Sequence, residues 1–176
     1  MIETDIQTSI NELHIPRWNE LPNVALYLDQ VVTLINSCLS PILSLNHNEN
    51  KKEYTLLTKT MINNYVKFNL IEAPEKKKYG KNQLAKLFVI CILKQVYSMS
   101  DINSLINIAI TSTNIEISYD KFCIQFEEAL KCTYSKKDFV VDTNNDNKYL
   151  LKVVILSCAY KIYTQNIITP MSSGAD

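Results

Sequence analysis

LTKTMINNYVKFNLIEAPEKKKYGKNQLAK, residues 57–86, holds a capped short helix, a proline-marked turn, a lysine cluster ending in an aromatic, and the start of an apolar helix. Thr58 is a good N-cap type for a helix over 59–69. At about 100° per residue this helix divides into two arcs. Met61, Ile62, Tyr65, Val66 and Phe68 fall on one side, and Lys59, Thr60, Asn63, Asn64 and Lys67 on the other. The second arc carries no carboxylate, whereas exposed arcs usually mix signs because glutamate is a strong helix former. Lysine suits phosphate contacts, and asparagine can bond an adenine edge in two places. Asn69 can take the left-handed cap conformation, and Pro74 prevents the helix from continuing. Lys76, Lys77 and Lys78, followed by Tyr79, then occupy the place of a wing or short ribbon. This order is the one a winged helix-turn-helix needs around its recognition helix.

The charge is segregated in a way that agrees with this reading. Residues 51–86 carry nine lysines against three glutamates, a net of +6. The remainder carries nine Lys/Arg against fifteen Asp/Glu, a net of −6, so the 176-residue chain is neutral as a whole. A basic segment inside a neutral chain points to a polyanion partner, with a solvated lysine-rich surface as the plainer alternative.

Composition sets the fold class. Hydrophobic residues make up 47% of the chain, enough for a sizeable core. Only two glycines are present, Gly80 and Gly174, and tight hairpins and glycine-rich phosphate loops need more. An all-α protein is expected. The five cysteines form no C-x-x-C pair and read as small buried hydrophobes of a reducing compartment. His14 and His47 have no acidic or cysteine companion at ligand spacing, so neither metal nor cofactor is expected. No leader is expected in residues 1–10, and no apolar stretch reaches the roughly 18 residues of a membrane span. The cytoplasm is the expected location. Nucleophile elbow, phosphate loop and paired carboxylates are all missing, which argues against an enzyme. Glu127 and Glu128 are adjacent on a helix and are expected to face solvent.

The remaining elements follow from periodicity and caps. A weakly amphipathic helix is expected over 3–14, with Ile6, Ile10 and Leu13 inward, and Trp18 after it plugging a core edge. Residues 24–28 are β-compatible, and Asp29 caps a helix over 30–38 that ends at Ser40-Pro41. HNENKKE, residues 47–53, reads as a loop. Residues 83–97 are apolar on nearly every side and predict a buried spine helix. Ser100 caps a helix over 101–110, and residues 111–116 break it. Ser118 caps a helix through 132, with Phe122, Cys123, Phe126, Ala129 and Leu130 inward. Asn147 or an earlier aspartate opens a last helix over 148–167. Leu150, Val153, Val154, Ser157, Tyr160 and Ile167 are expected on or near its inner face, and residues 169–176 are expected to fray.

Residues 60–106 resemble the DNA-binding domain of the MerR-type regulators. MINNYVKFNLIEAP falls where that family has a helix of the form T-(L/I)-R-x-Y-x-x-x-G-L-(L/I) followed by proline, and KKKY where it has a wing ending in R-x-Y. SMSDINSLI falls on its Ser-Leu-x-x-Ile segment. About residues 20–160 also resemble a bacterial group, domain of unknown function family 1836, through LYLDQVVTLIN, TKTMINNYVK and the KKKY segment. These resemblances imply an all-α, MerR-like winged helix-turn-helix with additional C-terminal helices. Residues 1–110 would form the winged region with its N-terminal helix. Residues 111–176 would form a helical region for dimerisation or ligand sensing, with the two regions either separate or one unit. The implied function is transcriptional regulation on double-stranded DNA, with a homodimer expected. Asn63 takes the place of the family's helix arginine, Tyr65 its second tyrosine and Tyr79 its wing aromatic. Lys59, Lys67, Lys76, Lys77 and Lys78 would bind phosphates, while Thr60, Asn63 and Asn64 would reach base edges. The alternative is a protein-interaction module on the same scaffold that no longer binds DNA.

Overall fold

The computed structural model describes residues 8–43 and 55–172, with side chains as far as residue 168. The start of the expected first helix, the 47–53 loop and the extreme C-terminus lie outside the described residues. After a helical turn at residues 8–11 come β1 (Leu26–Tyr27), α1 (Leu28–Leu43), α2 (Lys59–Lys67) and β2 (Lys78–Tyr79). α3 (Lys81–Leu93), α4 (Met99–Ser112), α5 (Ile115–Tyr134) and α6 (Asp146–Ser172) complete the chain. The molecule is mostly helical, with one two-stranded ribbon.

The apolar reading of α3 holds: Leu84, Ala85, Leu87, Phe88, Ile90, Cys91, Ile92 and Leu93 are all buried. A helix buried on every side must be wrapped by others, and α1, α4 and α5 do so. α1 packs through Val31, Ile35, Leu39 and Ile42 and runs through Pro41 instead of stopping there. Proline in a helix interior costs about 3 kcal/mol, and burial of Ile42 offsets part of that. α5 buries the five residues expected of it, plus Tyr119, Glu127 and Tyr134.

Several expected boundaries shift because a stronger cap lies nearby. Ser98, not Ser100, caps α4, with its hydroxyl accepting from the Asp101 N–H at 3.2 Å. The expected break at 111–116 narrows to Thr113–Asn114, since Asn114 Oδ1 accepts from Ile117 N–H at 2.8 Å and starts α5. Asn145 does the same for α6 through Lys148 N–H at 3.0 Å. The inner face of α6 is corrected in part, since Val154 is buried as expected while half of the expected set faces out. Val154, Ile155, Cys158, Ala159 and Ile162 are buried, whereas Leu150, Val153 and Tyr160 are exposed. LLKVVILSCAYKIY is apolar on nearly all sides, so its pattern does not fix which arc meets α5.

Glu127 is the largest correction. It is 6% exposed, not solvent-facing. Its Oε1 accepts from Ile15 N–H at 2.7 Å and from Arg17 Nη1 at 2.7 Å, and its Oε2 accepts from Arg17 Nη2 at 2.5 Å. The hydrogen bond to Glu127 holds the Arg17 guanidinium above its ordinary pKa, against the opposing effect of burial. Beside this clamp, Tyr119 OH donates to Pro16 O at 2.7 Å, and Trp18 N–H donates to Asp120 Oδ1 at 2.6 Å. Residues 15–18 are thus fastened to α5, a hundred residues along the chain. Glu127→Ala strands a guanidinium and a backbone N–H in a part-buried place, with an expected loss of about 3 kcal/mol. Glu127→Gln, which keeps an acceptor for Ile15, is expected to lose less. Urea unfolding of the two variants measures this, and an unchanged midpoint for Glu127→Ala overturns the assignment.

Candidate functional site

The basic face is built by β1, β2 and the N-terminal ends of α1 and α2. β1 and β2 pair antiparallel with Leu26 opposite Tyr79 and Tyr27 opposite Lys78. Side chains alternate across a strand. Leu26 and Tyr79 therefore turn inward, while Lys78 lies over the exposed Tyr27 ring at 4.8 Å from its centroid. Tyr79 is 3% exposed and belongs to the core, and burial raises its phenol pKa. The expectation that it lies on a DNA-contacting surface is corrected. Its role is to anchor the ribbon.

A tight turn leads into β2 between Glu75 and Lys78, whose N–H and carbonyl groups exchange hydrogen bonds at 3.0 and 2.9 Å. The two central residues, Lys76 and Lys77, have φ of 48° and 66°. This left-handed pair is the type I′ geometry that favours Asn-Gly and disfavours branched or long side chains. Two lysines therefore hold a backbone conformation that their own chemistry opposes, at the tip of a cationic loop.

α2 begins where expected but ends at Lys67, short of the expected Asn69. Thr58 Oγ1 accepts from Met61 N–H at 3.2 Å. At the other end Asn69 has φ 56°, Asn69 N–H donates to Val66 O at 3.0 Å and Leu70 N–H to Tyr65 O at 2.9 Å. That pair of bonds is a Schellman cap with asparagine in the usual glycine place. The helix ends at Lys67, so Phe68 leaves the apolar arc and is 59% exposed. Ile62 and Tyr65 are buried. Thr60, Asn63, Asn64 and Lys67 are exposed, as the two-arc division requires. Lys59 is exposed but ion-paired with Asp29 in the first turn of α1. The arc thus has a carboxylate neighbour that the helix sequence alone does not reveal. The pair is open to solvent on both sides, so it holds Lys59 weakly and a phosphate can compete for it.

Two amide and two lysine side chains fix where these elements sit. Asn36 on α1 donates from Nδ2 to Leu57 O at 2.8 Å and accepts at Oδ1 from Leu57 N–H at 3.0 Å. It thereby imitates a strand partner at the entrance to α2. Gln83 accepts at Oε1 from Gly80 N–H at 2.5 Å and donates from Nε2 to Glu72 O and Ala73 O at 3.0 and 3.1 Å. This joins the loop after α2, the end of β2 and the start of α3. Lys86 Nζ then meets Glu72 Oε1 at 2.5 Å. Burial is the largest influence on the Glu72 carboxyl and would raise it, but the Lys86 hydrogen bond, a backbone hydrogen bond and the Lys86 charge together outweigh burial and hold the pKa below its ordinary value. Lys81 lies over the Trp18 ring at 5.6 Å and donates to Asn23 Oδ1 at 2.8 Å. Neither Asn36 nor Gln83 stands out in the sequence, although Gln83 sits three residues after Gly80, at the spacing of a capping box.

Burial pushes the thiols of Cys91, Cys123 and Cys158 up to about 12, so all three are protonated at neutral pH. Among the described residues no helix is long and apolar enough to cross a membrane.

The family model described as Domain of unknown function (DUF1836) matches residues 16–126. The chain belongs to this family. No curated protein and no solved structure matches it. The family stretch contains Arg17, both strands and α1 to α4, and stops one residue before Glu127. It therefore holds the whole basic face and leaves α6 outside, a shorter reach than the sequence resemblance.

The strained turn gives a direct measurement. Replacing Lys76 with Asn and Lys77 with Gly supplies residues that accept positive φ, for an expected gain of about 1 kcal/mol. A thermal melt of the double variant reads it. A lower melting temperature overturns the type I′ assignment.

Proposed function

We propose that this protein is a DNA-binding transcriptional regulator of the winged helix-turn-helix, MerR-like kind. In this reading α2 lies in the major groove and the β1–β2 ribbon is the wing. The observation that carries it is the Lys59–Asp29 ion pair, which brings the start of α2 to the first turn of α1, directly after β1, the strand paired with β2. Exposed Thr60, Asn63, Asn64 and Lys67 of α2 and the strained Lys76-Lys77 turn before β2 supply the candidate contacts. Strain of this kind persists where function requires particular residues, and two cations at a tight turn suit phosphate binding. Lys67, Lys76, Lys77 and Lys78 serve as phosphate contacts, and Lys59 joins them by exchanging Asp29 for phosphate. Thr60, Asn63 and Asn64 face base edges. Tyr79 acts from the core, through the ribbon.

A homodimer gives the two half-sites that such readers use. Its support lies outside the family stretch as well as inside it. Ile117 and Ile124 on α5, and Val153 and Tyr160 on α6, are exposed and spaced seven apart on each helix. Apolar residues at that spacing suit helix–helix packing with a second copy.

One observation favours a second reading, a protein-interaction module that keeps the scaffold without DNA. Phe68 at the end of α2, and Val24 and Tyr27 around β1, are large exposed apolar groups bordering the basic face. A purely phosphate-binding surface has no use for them.

Fluorescence anisotropy with duplex DNA separates the readings. The parent chain is expected to bind, and Lys67→Ala with Lys76→Ala and Lys77→Ala is expected to weaken binding to every sequence. The triple variant should also flatten the log–log salt dependence by about one unit for each phosphate it no longer neutralises. Undetectable binding by the parent at low salt favours the interaction module instead.

Sedimentation analysis addresses the dimer. Ile124→Glu with Tyr160→Glu is expected to convert a dimeric parent to monomer without changing its circular dichroism. A parent that sediments as a monomer at high concentration overturns the dimer.

A further inference from the structure

A cleft of about 720 Å³ opens between α3, α4, α5 and α6. That volume lies within the roughly 300–1,000 Å³ range of small-molecule sites. Its floor is apolar and shielded from water, since Leu93 of α3, Ile106 of α4, Phe122 of α5 and Val154 of α6 are all buried. Its rim is apolar too, but there Ile108 and Ile110 of α4 and Leu150 of α6 are exposed. Aliphatic groups left wet around a concave apolar floor gain free energy when an apolar occupant covers them. No residue of α1, α2 or the ribbon lines the cleft, and neither do Ile117, Ile124, Val153 and Tyr160. Neither the basic face nor the proposed dimer seam therefore takes it up.

The charges around the cleft balance. Lys86, Lys121, Lys148 and Asp146 line it. Lys86 is paired with Glu72 and Lys148 with Asp142. The Lys148 hydrogen bond first, and the Lys121 charge with it, hold the Asp142 carboxyl below its ordinary pKa, so Asp142 lies within electrostatic reach of Lys121 as well. Three ammonium groups thus stand against three carboxylates, those of Glu72, Asp142 and Asp146. An ion entering an apolar cleft gives up hydration, and a balanced lining returns no net attraction for either sign. The polar groups at one end are also committed to each other. Ser112 Oγ donates to Ile108 O at 2.8 Å and accepts from Asn147 Nδ2 at 2.9 Å. Ser118 Oγ donates to Ala109 O at 3.1 Å and shares a hydrogen bond with Thr113 Oγ1 at 2.7 Å. An apolar occupant therefore strands none of these hydroxyl groups.

We propose that this cleft binds a small uncharged molecule with a hydrocarbon body, and that it discriminates against anions and cations of the same body. The apolar floor and rim supply the affinity, and the balanced charges supply the discrimination. The proposal stands apart from the DNA reading, since its site shares no residue with the basic face.

Fluorescence titration of the full chain with uncharged N-phenylnaphthylamine, and with anilinonaphthalenesulfonate, the same body carrying a sulfonate, tests the site. The uncharged probe is expected to saturate at one per chain and to bind about tenfold more tightly than the sulfonate. Decanol is expected to displace it, whereas decanoate and decyltrimethylammonium, each below its aggregation threshold, leave it bound. Ala109→Trp places an indole in the cleft from an exposed position on α4 and is expected to abolish binding with the circular dichroism unchanged. Leu150→Glu puts an unpaired charge on the exposed rim and is expected to weaken it. Four results overturn the proposal. These are no saturable binding of the uncharged probe, equal affinity for the sulfonate, binding that both variants leave unchanged, or probe affinity that falls as chain concentration rises. The last of these assigns the cleft to a second copy instead.

Discussion

The carboxylate of Glu127 is the constraint on which the arrangement of the molecule depends. A charge this buried is tolerated only when paired and hydrogen-bonded, and here a backbone N–H and both arms of one guanidinium share it. The consequence reaches beyond α5. Holding Ile15 and Arg17 fixes Trp18, Trp18 lies under Lys81, and Lys81 opens α3 directly after the ribbon. One ion pair thus sets the position of the N-terminal segment relative to both the C-terminal helices and the basic face.

The basic face itself is assembled without glycine hinges. With Gly80 and Gly174 as its only glycines, the chain gives the left-handed positions to Asn69, Lys76, Lys77 and Lys136. Asn69 and Lys136 both terminate helices, where one residue in that conformation satisfies two carbonyls and the local bonds offset its cost. Lys76 and Lys77 form the turn into β2 instead, where Asn-Gly would serve at lower cost. Side-chain amides do the remaining positioning. Asn36 and Gln83 each bond backbone groups of other segments, and Asn114 and Asn145 each begin a helix.

This division explains what the sequence disclosed. Local chemistry was readable: Thr58 as a cap, Asn69 as a left-handed stop, and α3 as a spine all follow from neighbouring residues. The inward set on α5 followed too, and it contained an unused signal. Phe122, Cys123, Phe126, Ala129 and Leu130 define an arc, and position 127 borders it, about one turn from both Cys123 and Leu130. A charged residue bordering an apolar arc asks for a partner, but that partner lies 110 residues earlier and no local pattern points to it. The phase of α6 failed for the opposite reason, since a helix apolar nearly all round has no preferred face until α5 supplies one. Tyr79 was placed by alternation along a two-residue strand, and its direction depends on pairing with Leu26, a contact that chain order does not announce.

The spine helix borders both an apolar cleft and the loop that follows α2. α3 is packed on most of its surface, and close-packed interiors respond to force by discrete repacking rather than gradual yielding. Val89 and Leu93 form part of the apolar cleft, while Gln83 and Lys86, one to three turns earlier, hold the loop that follows α2. A body pressed against the C-terminal half of α3 therefore bears on a helix whose N-terminal half carries the ribbon and the exit of α2. Lys86 reaches both places, lining the cleft while its ammonium engages Glu72. Among the described residues, this pair and the two Gln83 hydrogen bonds to Glu72 O and Ala73 O are polar ties between α3 and the loop beyond α2.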